Sequence, residues 1–276
     1  MGRFDGVLLA SDYDGTLCGQ AVQERDLAAI RAFQQEGGTF IMVTGRCYSD
    51  FVQQAKELPL THPSLLSNGA TLCDMSSGEI LFSNNLSEHA MADMIELMAQ
   101  FPSVAVAIYH KHQNFVFQPN EFSDYHTSIV KSVPTEKLLE EIPTPWLKAM
   151  FLGHREELEK IRTIVLEKWS ERYECFFSAD CLLELTAKGV HKGQGVLKAA
   201  EMLGISPEHI YCAGDNENDL PMLRIAAKAF SPSGSTVDKL HLDYPVIVRD
   251  VEHGCIESVI EQLWEMYSPD GTAERR

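Results

Sequence analysis

The chain has 276 residues and a formal net charge of −17, and 45% of its residues are hydrophobic. This balance predicts a globular protein with a substantial core, and it excludes both general disorder and collagen-like or low-complexity architecture. The negative charge argues against duplex nucleic acid and anionic membranes as partners, because both attract basic surfaces. Small anionic substrates remain compatible with this net charge, since a binding site needs positive charge only locally.

The sequence predicts a cytoplasmic protein. No run approaches the ~18 apolar residues of a membrane-spanning helix, and residues 1–6 do not resemble a signal peptide. The seven cysteines are odd in number and never stand in C-x-x-C spacing, which is typical of reduced thiols.

The first third of the chain alternates between short apolar runs and helical spacing. Residues 7–10, 40–43 and 64–67 predict buried strands, and residues 27–33 carry the apolar spacing of a helix. Continuously apolar strands that are joined through helices indicate a parallel sheet covered on both faces.

The pattern changes between about residues 85 and 183. Residues 104–109 and 114–117 predict neighbouring antiparallel strands, and runs of strands with few helices indicate a separate α+β unit. The other elements predicted here are a short helix at 135–141, a strand at 147–152, a helix at 158–169, and strands at 173–177 and 182–185.

The parallel rhythm then resumes. Lys192 opens a helix that Gly204 closes, residues 209–213 predict a buried strand, and residues 256–264 form the last helix. We therefore expect an α/β fold with a Rossmann-like, doubly wound parallel sheet and an inserted α+β unit. The expected domain ranges are 1–84 and 184–276 for the sheet core and 85–183 for the insertion.

Chemically unusual residues stand where predicted strands end or helices begin, which is where open α/β sheets bind their ligands. They are Asp12 with Asp14, then Thr44, then Lys192, and finally Asp215 with Asn218 and Asp219. Carboxylates that converge repel one another unless a cation joins them. Mg²⁺ prefers such oxygen ligands together with substrate phosphate. Because no Walker pattern is present, the phosphate is expected to be the reacting group.

Each of these residue types has a function in phosphoryl transfer. An aspartate beside Mg²⁺ can attack phosphorus, and a second aspartate can protonate the leaving oxygen and later deprotonate water. Thr44 can bond a phosphoryl oxygen, and Lys192 can neutralise the charge of the transition state. Gly15 and Gly45 allow close approach of the backbone to an anion.

The order of these motifs resembles that of the haloacid dehalogenase superfamily of phosphatases. The spacing resembles the Cof-type members (subfamily IIB, with a C2 cap), because 30 residues separate Asp14 from Thr44 and 148 separate Thr44 from Lys192. The turn at residues 67–70 supports this assignment. The four matching motifs are Asp12-Tyr13-Asp14-Gly15-Thr16, Thr44-Gly45-Arg46, Lys192, and Gly214-Asp215-Asn216-Glu217-Asn218-Asp219.

The resemblance implies a function for each matched residue. Asp12 would be the nucleophile and Asp14 the acid/base. Mg²⁺ would be held by the side chains of Asp12 and Asp215 and the backbone carbonyl of Asp14. Asp219 would orient these groups without contacting the ion. The phosphoryl group and the rest of the substrate would be bound by Thr44, Gly45, Arg46, Lys192 and Asn218. A local salt bridge of Arg46 is an equal alternative to substrate contact.

The predicted function is therefore Mg²⁺-dependent hydrolysis of a small phosphorylated metabolite, such as a sugar phosphate, through an aspartyl-phosphate. A phosphomutase resembling phosphomannomutase and a catalytically silent sensor of phosphorylated metabolites are the alternatives. A signalling receiver is disfavoured, because receivers are about half this length. The sequence leaves open the substrate, the oligomeric state, and which of His110, Lys111, His126 and Lys148 in the insertion contacts the substrate.

Overall fold

A computed structural model describes residues 2–129, 133–135 and 137–268 of the chain. Within these residues, helices flank three β-sheets. The strands are β1 (Leu8–Ser11), β2 (Thr39–Met42), β3 (Ser64–Leu66), β4 (Thr71–Cys73), β5 (Ile80–Ser83), β6 (Ala105–His110), β7 (Gln113–Phe117), β8 (Val133–Pro134), β9 (Lys148–Leu152), β10 (Tyr173–Ala179), β11 (Leu182–Ala187), β12 (Ile210–Ala213), β13 (Lys228–Pro232) and β14 (Pro245–Val248). The α-helices are α1 (Glu24–Gln35), α2 (Tyr48–Ala55), α3 (Ala90–Gln100), α4 (Glu121–Ile129), α5 (Arg155–Trp169), α6 (Lys192–Leu203), α7 (Leu220–Ile225), α8 (Thr236–Lys239) and α9 (Cys255–Met266).

The five-stranded core sheet has the order β14-β13-β12-β1-β2, and its neighbouring strands are parallel. Successive residues of β1 point to opposite faces. Leu9 packs in one hydrophobic cluster with α1 and α9, whereas Leu8 and Ala10 pack in another with α6 and α7. Both faces are covered, as the sequence predicted, so the doubly wound α/β fold is confirmed.

The register of the core sheet places three loops side by side. Ser11 at the end of β1 pairs with Met42 of β2 on one side and with Ala213 of β12 on the other. Because the strands are parallel, the segments that follow them leave from the same edge. Asp12, Thr44 and Asp215 all lie within three residues of these strand ends.

The third predicted strand differs from the expectation. It forms β3, but β3 pairs antiparallel with β4 in a three-stranded sheet, and a single parallel bridge between Val43 and Leu65 links it to the core sheet. The cause lies in the intervening turn, where Asn68 has a φ of +57° and Gly69 a φ of +88°. These left-handed conformations reverse the chain and return β4 alongside β3.

The insertion is built on a six-stranded cap sheet of order β10-β11-β9-β6-β7-β8, antiparallel except for the pair β7 and β8. The antiparallel pairing that the sequence predicted between residues 104–109 and 114–117 is confirmed. Helices α3 and α5 pack on one face of this sheet. On its other face, Tyr109, Met150 and Leu152 cluster with Cys47 of the core, so this face points toward the core sheet's loops.

Three details of the insertion differ from the sequence predictions. Helix α4 was not predicted at all. Of the short helix predicted at 135–141, residue 136 lies outside the described residues, and Leu139–Glu141 form a single 3₁₀ turn. Strand β11 continues to Ala187, so the expected boundary at 183/184 falls inside a strand of the cap sheet. The domain ranges otherwise stay predictions.

Candidate active site

The turn after β1 brings Asp12 close to Asp215. The Asp12 amide donates to the Ala213 carbonyl at 2.9 Å, at the end of β12. Gly15 has a φ of +84°, and a Cβ on it would lie 2.5 Å from a carboxylate oxygen of Asp215. A side chain at this position would therefore be strained and would collide with Asp215, which explains the glycine of the D-x-D-G-T motif.

Lys192 links two carboxylates from opposite sides. Its ammonium donates to Asp12 Oδ1 at 2.7 Å and to Asp219 Oδ1 at 2.5 Å, and the side chain is 1% exposed. Although burial disfavours the ammonium, Asp12 and Asp219 raise the pKa of Lys192, so it stays charged. The structure thus brings together three of the residues that the sequence placed in one site.

The loop after β12 holds its own acidic residues in place. Asp219 Oδ2 accepts the backbone amides of Asp215 at 2.9 Å and Asn216 at 3.0 Å. The Thr16 hydroxyl donates to Asp215 Oδ1 at 3.1 Å. Both oxygens of Asp219 are therefore engaged by the protein, in keeping with the supporting position that the resemblance implies.

Asp12, Asp215 and Asp219 form an acidic cluster in which one oxygen of each lies within 4.8 Å of the others. Burial raises the pKa of Asp12 well above its usual range and that of Asp215 to about 6, and repulsion from Asp219 adds to both shifts. A divalent cation would relieve this repulsion. The oxygen-only donor set fits a hard ion of the Mg²⁺ type.

Asp14 is held by Arg46 on the open side of the cluster. The guanidinium makes a bidentate contact, with Nε 2.8 Å from Asp14 Oδ2 and Nη2 2.6 Å from Oδ1, and it stacks over the Tyr13 ring at 5.4 Å. Arg46 thus forms the local salt bridge that the sequence left open as an alternative. Such a fork fixes the orientation of the carboxylate.

The loop after β2 supplies Thr44 and Gly45. The Thr44 hydroxyl is buried and accepts the Arg46 amide at 3.1 Å, which leaves its own proton available for a ligand. The Gly45 carbonyl accepts the ammonium of Lys148 at 2.7 Å. The core loop is thereby bonded to β9 of the cap sheet.

A buried polar network, which the sequence analysis did not assemble, joins the cap sheet to the core loops. Lys148 donates to Glu184 Oε2 at 2.5 Å, and Asn68 Nδ2 donates to the same oxygen at 2.8 Å. Asn218 Nδ2 in turn donates to Asn68 Oδ1 at 3.1 Å. One signal was available in the sequence: Lys148 and Glu184 each interrupt an apolar run that predicts a buried strand.

A cavity of about 240 Å³ opens between the core loops and the cap sheet. Asp12, Asp14, Gly45, Arg46, Asp215 and Asn218 line its core side, whereas Thr44, Lys192 and Asp219 are not among the residues that line it. The cap side includes Tyr109, His126, Lys148, Ser178 and Glu184.

Of the four residues of the insertion proposed for substrate contact, His126 and Lys148 line this cavity. His110 instead bonds the Pro145 carbonyl through Nδ1 at 2.9 Å, and Lys111 lies between β6 and β7.

Two further predictions concern membrane-spanning helices and the state of the cysteines. No helix in the described part of the chain is long and apolar enough to cross a membrane. All seven cysteines are free thiols, as the spacing predicted.

The fold and the site define a hydrolase of the haloacid dehalogenase type. Residues 9–231 match the family of haloacid dehalogenase-like hydrolases. The chain belongs to this family, and the predicted resemblance is confirmed.

Similar proteins carry related activities in their names. YxeH of Bacillus subtilis is 26% identical over 266 residues, which cover 92% of this chain and 97% of YxeH. The 5-amino-6-(5-phospho-D-ribitylamino)uracil phosphatase YcsE of the same organism is 27% identical over 226 residues, covering 79% of this chain and 80% of YcsE. The structure of BT4131, a subclass IIB sugar phosphatase, has the same fold, with a TM-score of 0.80, 22% identity, and coverage of 93% of this chain and 98% of BT4131. The predicted enzyme class, a phosphoric monoester hydrolase, is confirmed.

Proposed function

We propose that the protein hydrolyses a small phosphorylated metabolite, such as a sugar phosphate, through a phosphorylated Asp12, with Mg²⁺ as cofactor. The observation that carries this proposal is the 2.7 Å contact between Lys192 and Asp12, beside the acidic cluster of Asp12, Asp215 and Asp219. A carboxylate that faces a fixed cation next to a site for a hard metal ion suits nucleophilic attack on phosphorus.

The reaction has two steps on this chain's residues. In the first, Asp14 leaves Arg46 and takes up a proton from solvent; an Asp12 oxygen then bonds to phosphorus while the bond between phosphorus and the leaving oxygen breaks, and Asp14 gives that proton to the leaving oxygen. In the second, water bonds to phosphorus and passes a proton to Asp14 as the bond between Asp12 and phosphorus breaks. Inorganic phosphate leaves, and both aspartates return to their starting states.

The remaining residues bind and orient the phosphoryl group. Lys192 and the Thr44 hydroxyl would bond its oxygens, and Arg46 would hold Asp14 while that carboxylate is ionised. Mg²⁺, held by Asp12, Asp215 and the Asp14 carbonyl, would neutralise charge on the phosphoryl oxygens. The cap sheet would exclude water while the phosphoenzyme forms.

The related proteins support this substrate class, because YcsE and BT4131 are named for dephosphorylating a ribityl compound and sugars. Reduced thiols are consistent with a cytoplasmic location, which belongs to the same proposal. The proposal includes neither nucleic acid nor a membrane as a binding partner.

The test is a turnover assay with a phosphate ester in the presence of Mg²⁺. We expect steady release of inorganic phosphate that stops with EDTA, and no turnover or acid-labile phosphoenzyme in Asp12→Asn. Asp180→Asn is the matched control, because the Asp180 side chain is 89% exposed. Phosphoenzyme that persists in Asp12→Asn would show that another residue is the nucleophile. Transfer back to sugar without free phosphate would identify a mutase, and binding without turnover a sensor.

A further inference from the structure

The acidic loop after β12, at residues 214–219, carries Asp215, one of the proposed metal ligands. The core holds this loop through backbone bonds on both sides of that ligand. Asp219 Oδ2 accepts the amides of Asp215 and Asn216, and the Asp215 carbonyl accepts the Val237 amide at 2.9 Å. These bonds lie within the core, so they hold the loop without any contribution from the insertion.

The insertion also bonds this loop, through the side chain of Asn216. Its Nδ2 donates to the Ser178 carbonyl of β10 at 2.9 Å, while its Oδ1 accepts the Glu217 amide at 2.8 Å. Both ends of the side-chain amide are therefore engaged, and its orientation is fixed. Because β10 is the edge strand of the cap sheet, its outer backbone groups have no neighbouring strand to pair with. The acidic loop supplies a partner for one of them.

The carbonyl that Asn216 contacts belongs to an irregular position of β10. The pairing of β10 with β11 shifts by one residue between Phe177 and Ala179, so Ser178 has no opposite residue on β11. An extra residue of this kind is a β-bulge, which turns the groups of a strand in a new direction and is frequent beside active sites. The bulge at Ser178 thus presents the backbone of the cap sheet to the acidic loop.

A second bond from the insertion reaches the residue after Asn216. Arg162 of α5 lies over the Phe177 ring, with Cζ 5.4 Å from the ring centroid, and its Nη2 donates to Glu217 Oε1 at 3.2 Å. The side chains of Arg162 and Glu217 are 28% and 35% exposed, so water and salt screen this ion pair only in part. Glu217 follows Asp215 by two residues, and both bonds therefore act on the backbone beside that ligand.

A loop that is already held loses less conformational freedom when an ion binds to it. By thermodynamic linkage, an ion that prefers the held loop also stabilises the contact that holds it. We propose that Asn216, Glu217 and Arg162 are positioning residues, through which docking of the insertion tightens the binding of the divalent ion at the acidic cluster. This deepens the proposed function and rests on the metal site proposed there.

The first test measures the binding of Mg²⁺ to Arg162→Met by isothermal titration calorimetry without substrate. Two effects have opposite signs in this variant. Removal of a positive charge near the acidic cluster would by itself tighten the binding of a cation, whereas loss of the bond to Glu217 should weaken it. We expect the Kd for Mg²⁺ to rise by ~5- to 50-fold, and Arg162→Lys to recover part of the loss. An unchanged or lower Kd would overturn the proposal.

Arg155→Met is the matched control on the same helix. Arg155 lies over the same Phe177 ring, with Cζ 3.4 Å from its centroid, but its ion pairs are with Glu159 and Asp180 of the insertion. The change therefore removes the same charge and a similar ring contact, but no bond to the acidic loop. We expect a Kd for Mg²⁺ within ~2-fold of the wild type. Equal weakening in both variants would show that the effect passes through the fold of the insertion, and the proposal would be wrong.

Asn216→Ser tests the other bond without a change of charge. Serine keeps a hydroxyl that can accept the Glu217 amide, but it is too short to restore the bond to the Ser178 carbonyl. We expect the Kd for Mg²⁺ to rise by at least ~5-fold. At saturating Mg²⁺, kcat on p-nitrophenyl phosphate should stay within ~3-fold of the wild type, because the bond affects the occupancy of the metal site. A lower kcat at saturating Mg²⁺ with an unchanged Kd would contradict the proposal, since Asn216 would then act on the chemistry.

Linkage also gives a test in the opposite direction. Mg²⁺ should slow the hydrogen exchange of amides in β10 of the wild type, and it should slow them less in Arg162→Met. Equal protection of β10 in the two proteins would contradict a coupling between the ion and the insertion.

The outcomes separate this proposal from the proposed function, because calorimetry needs no turnover. If the wild type binds Mg²⁺ but hydrolyses no phosphate ester, the proposed function fails alone and the titrations still decide the coupling. If it binds no Mg²⁺, both proposals fail. If Arg162→Met does not fold, Asn216→Ser and Arg162→Lys provide the decision: a Kd equal to that of the wild type in both would overturn the positioning function.

Discussion

The two walls of the cavity are built on different principles. The core wall consists of loops that leave the carboxyl ends of parallel strands. Lys192 and Asp219 do not line the cavity themselves, but they fix Asp12 through an ion pair and the loop of Asp215 through a backbone amide. The cap wall consists of side chains on an antiparallel sheet, and it combines one buried ion pair with polar atoms that have no partner. The core wall suits fixed chemistry, and the cap wall suits selection among leaving groups.

The largest effect that would test this contrast is expected at Lys192. Lys192→Ala leaves Asp12 and Asp219 facing each other without their shared ammonium, so we expect kcat to fall by at least ~10³-fold on every substrate, including p-nitrophenyl phosphate. Lys198→Ala, an exposed change on the same helix, is the control. A rate within ~3-fold of the wild type, in a protein with a normal melting temperature, would remove Lys192 from the chemistry.

A smaller and substrate-dependent effect is expected at the ion pair of the cap wall. Lys148 and Glu184 are 2% and 3% exposed, and together they bond Gly45 and Asn68 of the core loops. Lys148→Met and Glu184→Gln should each lower kcat/KM for the preferred substrate by ~10- to 100-fold, because either change leaves a buried charge unpaired. In the double variant the two losses in kcat/KM should be non-additive. The coupling energy, expressed as an activation free energy, should be about 1–3 kcal/mol.

An exposed pair in the same insertion supplies the control for that cycle. Lys160 and Glu156 on α5 are 58% and 84% exposed, so the same cycle there should give a coupling below about 0.5 kcal/mol in the activation free energy derived from kcat/KM. Strictly additive effects at Lys148 and Glu184 would mean that the two side chains act independently. The ion pair between them would then not organise the cap wall.

The same contrast explains what the sequence could predict. Asp12, Asp215 and Lys192 lie at strand ends and helix starts, where a residue's place along the chain determines its place in space. His126, Ser178 and Glu184 come from three separate elements of the insertion, and they meet only through the pairing of the cap sheet and the packing of α4. No spacing rule encodes that meeting, so the sequence offered His126 only as one of four candidates and did not offer Ser178 or Glu184.

Some errors of the sequence analysis have local causes. The turn at Asn68 and Gly69 was noted as a family feature, but its left-handed conformations, which make β3 and β4 a hairpin, were not anticipated. Helix α4 contains Glu121, Asp124 and several small or polar residues, so its apolar spacing is weak. The apolar runs of β1 and β12 were predicted correctly, whereas the apolar runs of β5 and β14 were not predicted as strands.

Another carboxylate of the core, which does not line the cavity, extends the comparison to a buried charge outside the site. Asp26 of α1 is fully buried; its Oδ1 accepts the Glu257 amide at 2.6 Å at the start of α9, but its Oδ2 has no partner. Burial raises the pKa of Asp26 to about 6, above its unfolded value near 3.8. The folded state therefore loses stability as the pH rises through this window, by at most about 3 kcal/mol.

Asp26→Asn should remove that pH dependence while keeping an acceptor for the Glu257 amide. The free energy of unfolding of the variant, minus that of the wild type, should increase between pH 4 and pH 7, because only the wild type has to ionise a buried carboxyl. Urea denaturation at each pH measures this difference, and Asp180→Asn on the exposed surface should show none. A difference that stays flat with pH would mean that the folded protein compensates the carboxylate of Asp26 in spite of its burial, and that burial does not raise its pKa.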